Sequence, residues 1–174
     1  MSKDIIKEYG DVLHDPSSIV DRPLEILSVG PKLDIALGGG VPEGSLFIMT
    51  GPEKVGKTVT ALTFCANAQK HYDRKVYYAN IEGRLKKRDL EGISGLDLDA
   101  EKMQIIGSTE GNILSAEKYL SIIDNIVHTE PGSLAVVDSF SALSSESELT
   151  GDLADHQVMS VQKVLAKFCR RISN

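Results

Sequence analysis

From residue 46 onward the chain alternates short apolar runs with longer stretches in which apolar residues recur every three or four positions. Leu46 to Thr50 is a short apolar run and predicts a buried strand. From Lys57 to about His71 the spacing predicts a helix, with Val59, Leu62, Cys65 and Ala66 on one face. Strands are predicted at Lys75–Ala79, Met103–Ile106 and Leu134–Val137. Between the last two, Ile113, Ala116, Leu120, Ile123 and Val127 mark a helix that Pro131-Gly132 should end. A final helix from about Gln157 carries Val158, Val161, Leu165, Phe168 and Ile172 as one stripe. Lys163, Lys167, Arg170 and Arg171 cluster on its opposite side. Strands alternating with helices indicate an α/β domain whose mostly parallel sheet is flanked by helices. Residues 1–25 are polar and turn-rich and read as an N-terminal arm before a core at 26–174. Glycines and prolines at 38–44 predict a turn.

Composition narrows the function. At 174 residues the chain has room for one domain with a real core. A net charge of −6 excludes a globally basic nucleic-acid binder, though not a local basic stripe. The two cysteines, Cys65 and Cys169, lie far apart, and neither has a partner at metal-ligand spacing. They read as reduced, buried thiols of a cytoplasmic protein, with a disulfide or redox role as the alternative. The N-terminus has no apolar core of signal-peptide length, and no segment approaches 18 apolar residues. Secretion by that route and a membrane span are therefore not expected.

Candidate chemistry begins at Gly51-Pro52-Glu53-Lys54-Val55-Gly56-Lys57-Thr58, which fits G-x-x-x-x-G-K-[ST] between an apolar run and an amphipathic helix. The glycines let backbone N–H groups converge on phosphate oxygens at a helix N-terminus. Lys57 would reach the β- and γ-phosphates, and the Thr58 hydroxyl would take a Mg²⁺ position. Asp138 ends an apolar strand, where a parallel sheet presents ligand groups, and would hold Mg²⁺ there; a turn cap is the alternative. Glu82 also follows a strand. On spacing alone it is either the residue that activates an attacking water or a surface glutamate. The run Arg84-Leu85-Lys86-Lys87-Arg88 and the basic face of the last helix each read as a solvated face or as a contact surface. For the helix, that surface would suit a polyphosphate backbone.

The order of these motifs carries a resemblance. SVGPKLDIALGGGVPEGSLFIMTGPEKVGKT, then YYANIEG, then LAVVDSFSALSSESELTGDLADHQ resembles the RecA-type recombinases over residues 26–172. The resemblance implies a RecA-like P-loop fold that binds ATP with Mg²⁺ and hydrolyses it in response to single-stranded DNA. It also implies self-association into a filament or ring, for recombination and repair. Gly51 to Thr58 match the nucleotide loop, Glu82 the catalytic glutamate and Asp138 the Mg²⁺-associated aspartate. Gly151 and Leu153 fall in the first DNA loop, and Lys163 and Arg170 on basic positions that help hold single-stranded DNA.

Two departures qualify this. The family usually places an adenine-stacking aromatic shortly after the catalytic glutamate, and RLKKRDL offers none. The family's next strand, which carries a γ-phosphate sensor between the P-loop strand and the Asp138 strand, would follow Arg170-Arg171-Ile172-Ser173-Asn174. The expectation is therefore an N-terminal fragment or split half, weakly active by itself and served by a complementary C-terminal polypeptide. A RecA-like nucleotide-binding regulator without DNA binding is the alternative.

Overall fold

The computed structural model describes residues 7, 10–13, 15–21, 23–151 and 160–172. Its centre is a three-stranded parallel sheet of β3 (Val76–Asn80), β4 (Met103–Ile106) and β5 (Leu134–Asp138), in the order β4-β3-β5. Register runs from Val76 opposite Met103 and Leu134 to Asn80 opposite Asp138. A two-residue antiparallel pair, β1 (Ile26–Leu27) with β2 (Val41–Pro42), lies apart from it. The helices are α1 (Pro16–Val20), α2 (Pro31–Leu37), α3 (Lys57–Tyr72), α4 (Lys87–Glu91), α5 (Ala116–Thr129), α6 (Glu146–Thr150) and α7 (Ser160–Ile172).

Side chains of β3 alternate across the sheet, as the two-residue period requires. Val76 and Tyr78 join Ala61, Leu62 and Cys65 of α3 in one buried cluster. Tyr77 and Ala79 point the other way, into a cluster with Tyr119, Leu120 and Ile123 of α5 and Phe168 of α7. β3 is buried on both faces because a helical layer covers each, which explains its unbroken apolar character. A third cluster ties β1 and β2 to α3 through Leu27, Val29, Val41, Phe64 and Ala68. Arg74 fastens the same end, pairing with Glu25 and Glu43 and donating to the Gly132 carbonyl at 3.0 Å.

The predicted strands at 75–79, 103–106 and 134–137 form within one residue of expectation, and so do the two long helices that begin at Lys57 and near Gln157, as far as residues are described. The predicted strand Leu46–Thr50 does not form. Residues 45–50 run without a strand partner, and Leu46 and Ile48 are exposed at 44% and 57%. Phe47 and Met49 still pack inward, so the alternation of a strand survives without its ladder. Among the described residues β5 is bonded only to β3, and no ladder joins 45–50 to its outer edge, so the segment has no partner to make it a strand. The unpaired segment and the unpaired β5 edge both pack on the α3 clusters, through Phe47 and Met49 on one side and Leu134 and Val136 on the other.

Smaller corrections concern faces. Val59 is 58% exposed, because it lies at the site end of α3, ahead of the region the sheet covers. Ile113 precedes α5 and is exposed, and Val127 turns outward near its end. Val158 lies outside the described residues.

Cys65 and Cys169 are both reduced thiols; Cys65 is buried as expected, whereas Cys169 is only half-buried on α7. Burial pushes the Cys65 thiol up to about 12 from its ordinary 9.0. In the unfolded chain the same thiol ionises at its ordinary value, so the unfolded state loses its proton first as pH rises. The contribution of Cys65 is therefore fully present below pH 9 and is lost progressively between pH 9 and about 12. In denaturant titrations across pH 8–11, stability should fall more steeply with pH in wild type than in Cys65→Ala, by up to about 1.4 kcal/mol per pH unit from this group. Parallel curves would contradict it.

Candidate nucleotide site

α3 opens directly from the loop 51–56, with Gly56 at its N-cap in a left-handed conformation (φ 95°), which favours glycine there. No side chain caps the helix, and its first turn carries no acidic residue. α5, by contrast, is capped by the Ser115 hydroxyl. The first N–H groups of the sixteen-residue α3 are thus left for another acceptor, at the end where the helix dipole favours an anion. Lys54 also adopts a positive φ of 62°, so the loop turns sharply at a non-glycine residue. Pro52, Glu53 and Val55 are exposed around it.

Lys57 Nζ donates to the carbonyls of Gly51 (2.8 Å) and Pro52 (2.6 Å). The ammonium is folded over its own loop and needs only a small side-chain motion to change acceptors. One residue on, Thr58 Oγ1 donates to Asp138 Oδ2 at 2.9 Å. That contact brings together two candidate residues 80 positions apart. The same Asp138 oxygen accepts from the Tyr78 phenol at 2.7 Å. Burial first, and then this hydrogen bond, pushes the Tyr78 phenol well above its ordinary range, so it remains a protonated donor.

Glu82 lies beside this pair because β3 and β5 end in register. The backbone N–H groups of Ile81 and Glu82 reach the Asp138 carbonyl at 2.9 and 3.5 Å. The Glu82 carboxylate accepts from Ser139 Oγ at 3.0 Å and pairs with Arg84 at 3.5 Å. Ser139 in turn contacts Ser141 at 2.7 Å. Arg84 is the link from the basic run to the site; Lys87 and Arg88 pair with Glu91 and Asp89 on a solvated face.

One hydroxyl and one carboxylate, both hard oxygen donors, fit Mg²⁺, which usually takes few protein ligands and fills its octahedron with water and phosphate oxygens. Gly51 to Thr58, Glu82 and Asp138 are therefore gathered at the C-terminal end of the sheet. The candidate DNA residues are not gathered with them. Lys163 and Arg170 are exposed on α7, and Gly151 caps α6 in the open. Leu153 lies outside the described residues. Sequence reasoning missed Tyr78 and Ser139. The signal for Tyr78 was a hydroxyl-bearing aromatic at an inward strand position, which needs a polar partner when buried.

The family model described as the RecA N-terminal domain matches residues 3–174 of this chain. This chain belongs to the RecA family. It is 32% identical over 151 residues to Protein RecA of Prochlorococcus marinus, an alignment covering 86% of this chain and 38% of that relative. It is 33% identical over 155 residues to Protein RecA of Streptomyces venezuelae, covering 88% of this chain and 39% of the relative. The chain thus spans about two fifths of the length of these curated relatives, corresponding to a RecA N-terminal portion. Membership in a recombinase family and the α/β architecture with a parallel sheet agree. Among the described residues, no helix is long and apolar enough to cross a membrane.

Proposed function

We propose that this chain binds ATP with Mg²⁺ at Gly51–Thr58 and Asp138 and supplies the nucleotide half of a single-stranded-DNA-dependent ATPase. The observation that carries this reading is the Thr58–Asp138 contact at the mouth of an uncapped helix. The loop N–H groups and Lys57 would bind and neutralise the phosphates. Mg²⁺ would supply charge neutralisation between phosphate oxygens, with Thr58 and Asp138 as the residues to hold it. Glu82 would take the proton of the attacking water, and Ser139 would hold its carboxylate at a fixed angle. Filament assembly and completion of the sheet along the β5 edge would fall to further copies and to a complementary C-terminal polypeptide.

Calorimetric titration of ATP into the chain tests the first step: saturable binding that tightens with Mg²⁺ is expected, and absence of binding would refute it. DNA engagement is separately testable. Single-stranded DNA should bind with a salt-dependent affinity, and Lys163→Ala with Arg170→Ala should flatten the log–log salt slope by about 0.7 per lost contact. Salt-insensitive or absent DNA binding alongside normal ATP binding would favour a nucleotide-binding regulator.

A further inference from the structure

We propose that Tyr78 is a positioning residue for the Asp138 carboxylate, holding it in the orientation that a nucleotide-associated divalent cation requires. The inference rests on the nucleotide reading above and deepens it. Two donors converge on Asp138 Oδ2, the Thr58 hydroxyl at 2.9 Å and the Tyr78 phenol at 2.7 Å. They differ in what else they are asked to do. Thr58 belongs to the phosphate loop's helix, and its hydroxyl is itself a candidate cation ligand, so it cannot serve as the aspartate's permanent anchor.

Tyr78 has no such second task. It sits on the central strand, with no exposed surface, and packs among Ala61, Leu62, Cys65, Val76 and Met103. Its ring is fixed by core packing and its strand by partners on both sides, so the phenol oxygen is held by the most rigid part of the fold. Asp138, by contrast, lies on an edge strand that is only half-buried along its whole length. A ligand on a loosely held edge is thereby tied to the centre of the sheet. Partners of this kind orient the carboxylates that ligate metals and set their affinity.

The simpler alternative is that a buried phenol takes whatever acceptor is near, with no consequence for the carboxylate. Tyr78→Phe separates the two, because it removes one oxygen and keeps the ring. ATP titrations of the full 174-residue chain would be run in EDTA and over a series of Mg²⁺ concentrations. The variant should match wild type in ATP affinity in EDTA and still unfold cooperatively, at a lower midpoint because a buried charge-assisted hydrogen bond is lost, while its Mg²⁺ requirement for tight ATP binding rises roughly ten-fold. In an Asp138→Asn background, Tyr78→Phe should add no further Mg²⁺ effect. Asp138→Asn alone leaves the phenol an acceptor and should raise the Mg²⁺ requirement at least as much.

An unchanged Mg²⁺ requirement in Tyr78→Phe overturns the proposal, as does an equal loss with and without Mg²⁺. A full second loss on top of Asp138→Asn also overturns it, since Tyr78 would then act elsewhere. In each of these cases wild type still binds ATP and the nucleotide reading stands. If wild type binds no ATP even at saturating Mg²⁺, that reading fails and this proposal goes with it.

Discussion

Lys57→Ala should lower the affinity proposed for MgATP by about 100-fold or more, with little change in folding stability. Two charge-assisted hydrogen bonds to phosphate, at about 1.5 kcal/mol each, amount to about 3 kcal/mol, which is roughly two decades in Kd. The stability side follows from where the ammonium rests. Lys57 Nζ bonds two carbonyls of its own loop, Gly51 and Pro52, and both are exposed, so water replaces it there. Surface changes of this sort usually fall within about 0.5 kcal/mol. Calorimetry with MgATP and a thermal melt of the same sample check both halves. Binding within three-fold of wild type would remove the loop from the account. A collapsed melt would make the lysine a structural residue.

Phe168→Ala has the largest expected effect on stability. Phe168 is 5% exposed and is the buried α7 member of the cluster formed by Tyr77, Ala79, Tyr119, Leu120 and Ile123, with Val161, Val164, Leu165 and Ile172 packed around it. Removing a buried phenylalanine ring typically costs about 3–5 kcal/mol. Total stability of a domain is only about 5–15 kcal/mol, and here the three-stranded sheet is open at both edges among the described residues. The variant should therefore lose α7 docking first, seen as fast amide exchange across Ser160–Ile172 and a lower denaturant midpoint. Arg171 pairs with Asp124 of α5 at 2.7 Å and gives some tether, but more than half of its side chain is exposed, so little energy is expected from it. Lys163→Ala, on the exposed face of the same helix, should leave both measurements unchanged. If the two variants behave alike, the assignment of the helix's faces is wrong.

These two residues also show how legible the chain was. Lys57 belongs to eight contiguous residues whose spacing alone implies phosphate chemistry, and the helix that follows was readable because a period near 3.6 is a local property. Phe168 was placed on the buried stripe of the last helix by the same rule, and it is the most buried described member of that stripe. The rule failed at Val59 and Ile113. Periodicity tells which residues share a face, but not how far along an element its neighbour reaches.

The sequence by itself determined the alternation of strand and helix, the phosphate loop, and the carboxylates at two strand ends. Each of these is encoded in fewer than about sixteen neighbouring residues, within which backbone geometry fixes what faces what. Only the tertiary structure decided whether Leu46–Thr50 becomes a strand, because a strand exists through hydrogen bonds to another segment and no ladder joins this one to β5. It alone joined Thr58, Tyr78 and Asp138, which lie 60 and 80 positions from one another's partners in the chain and meet on one carboxylate oxygen. Contacts of that range follow from strand order and from the register that sets Asn80 opposite Asp138. No local pattern of apolar and polar residues carries that information.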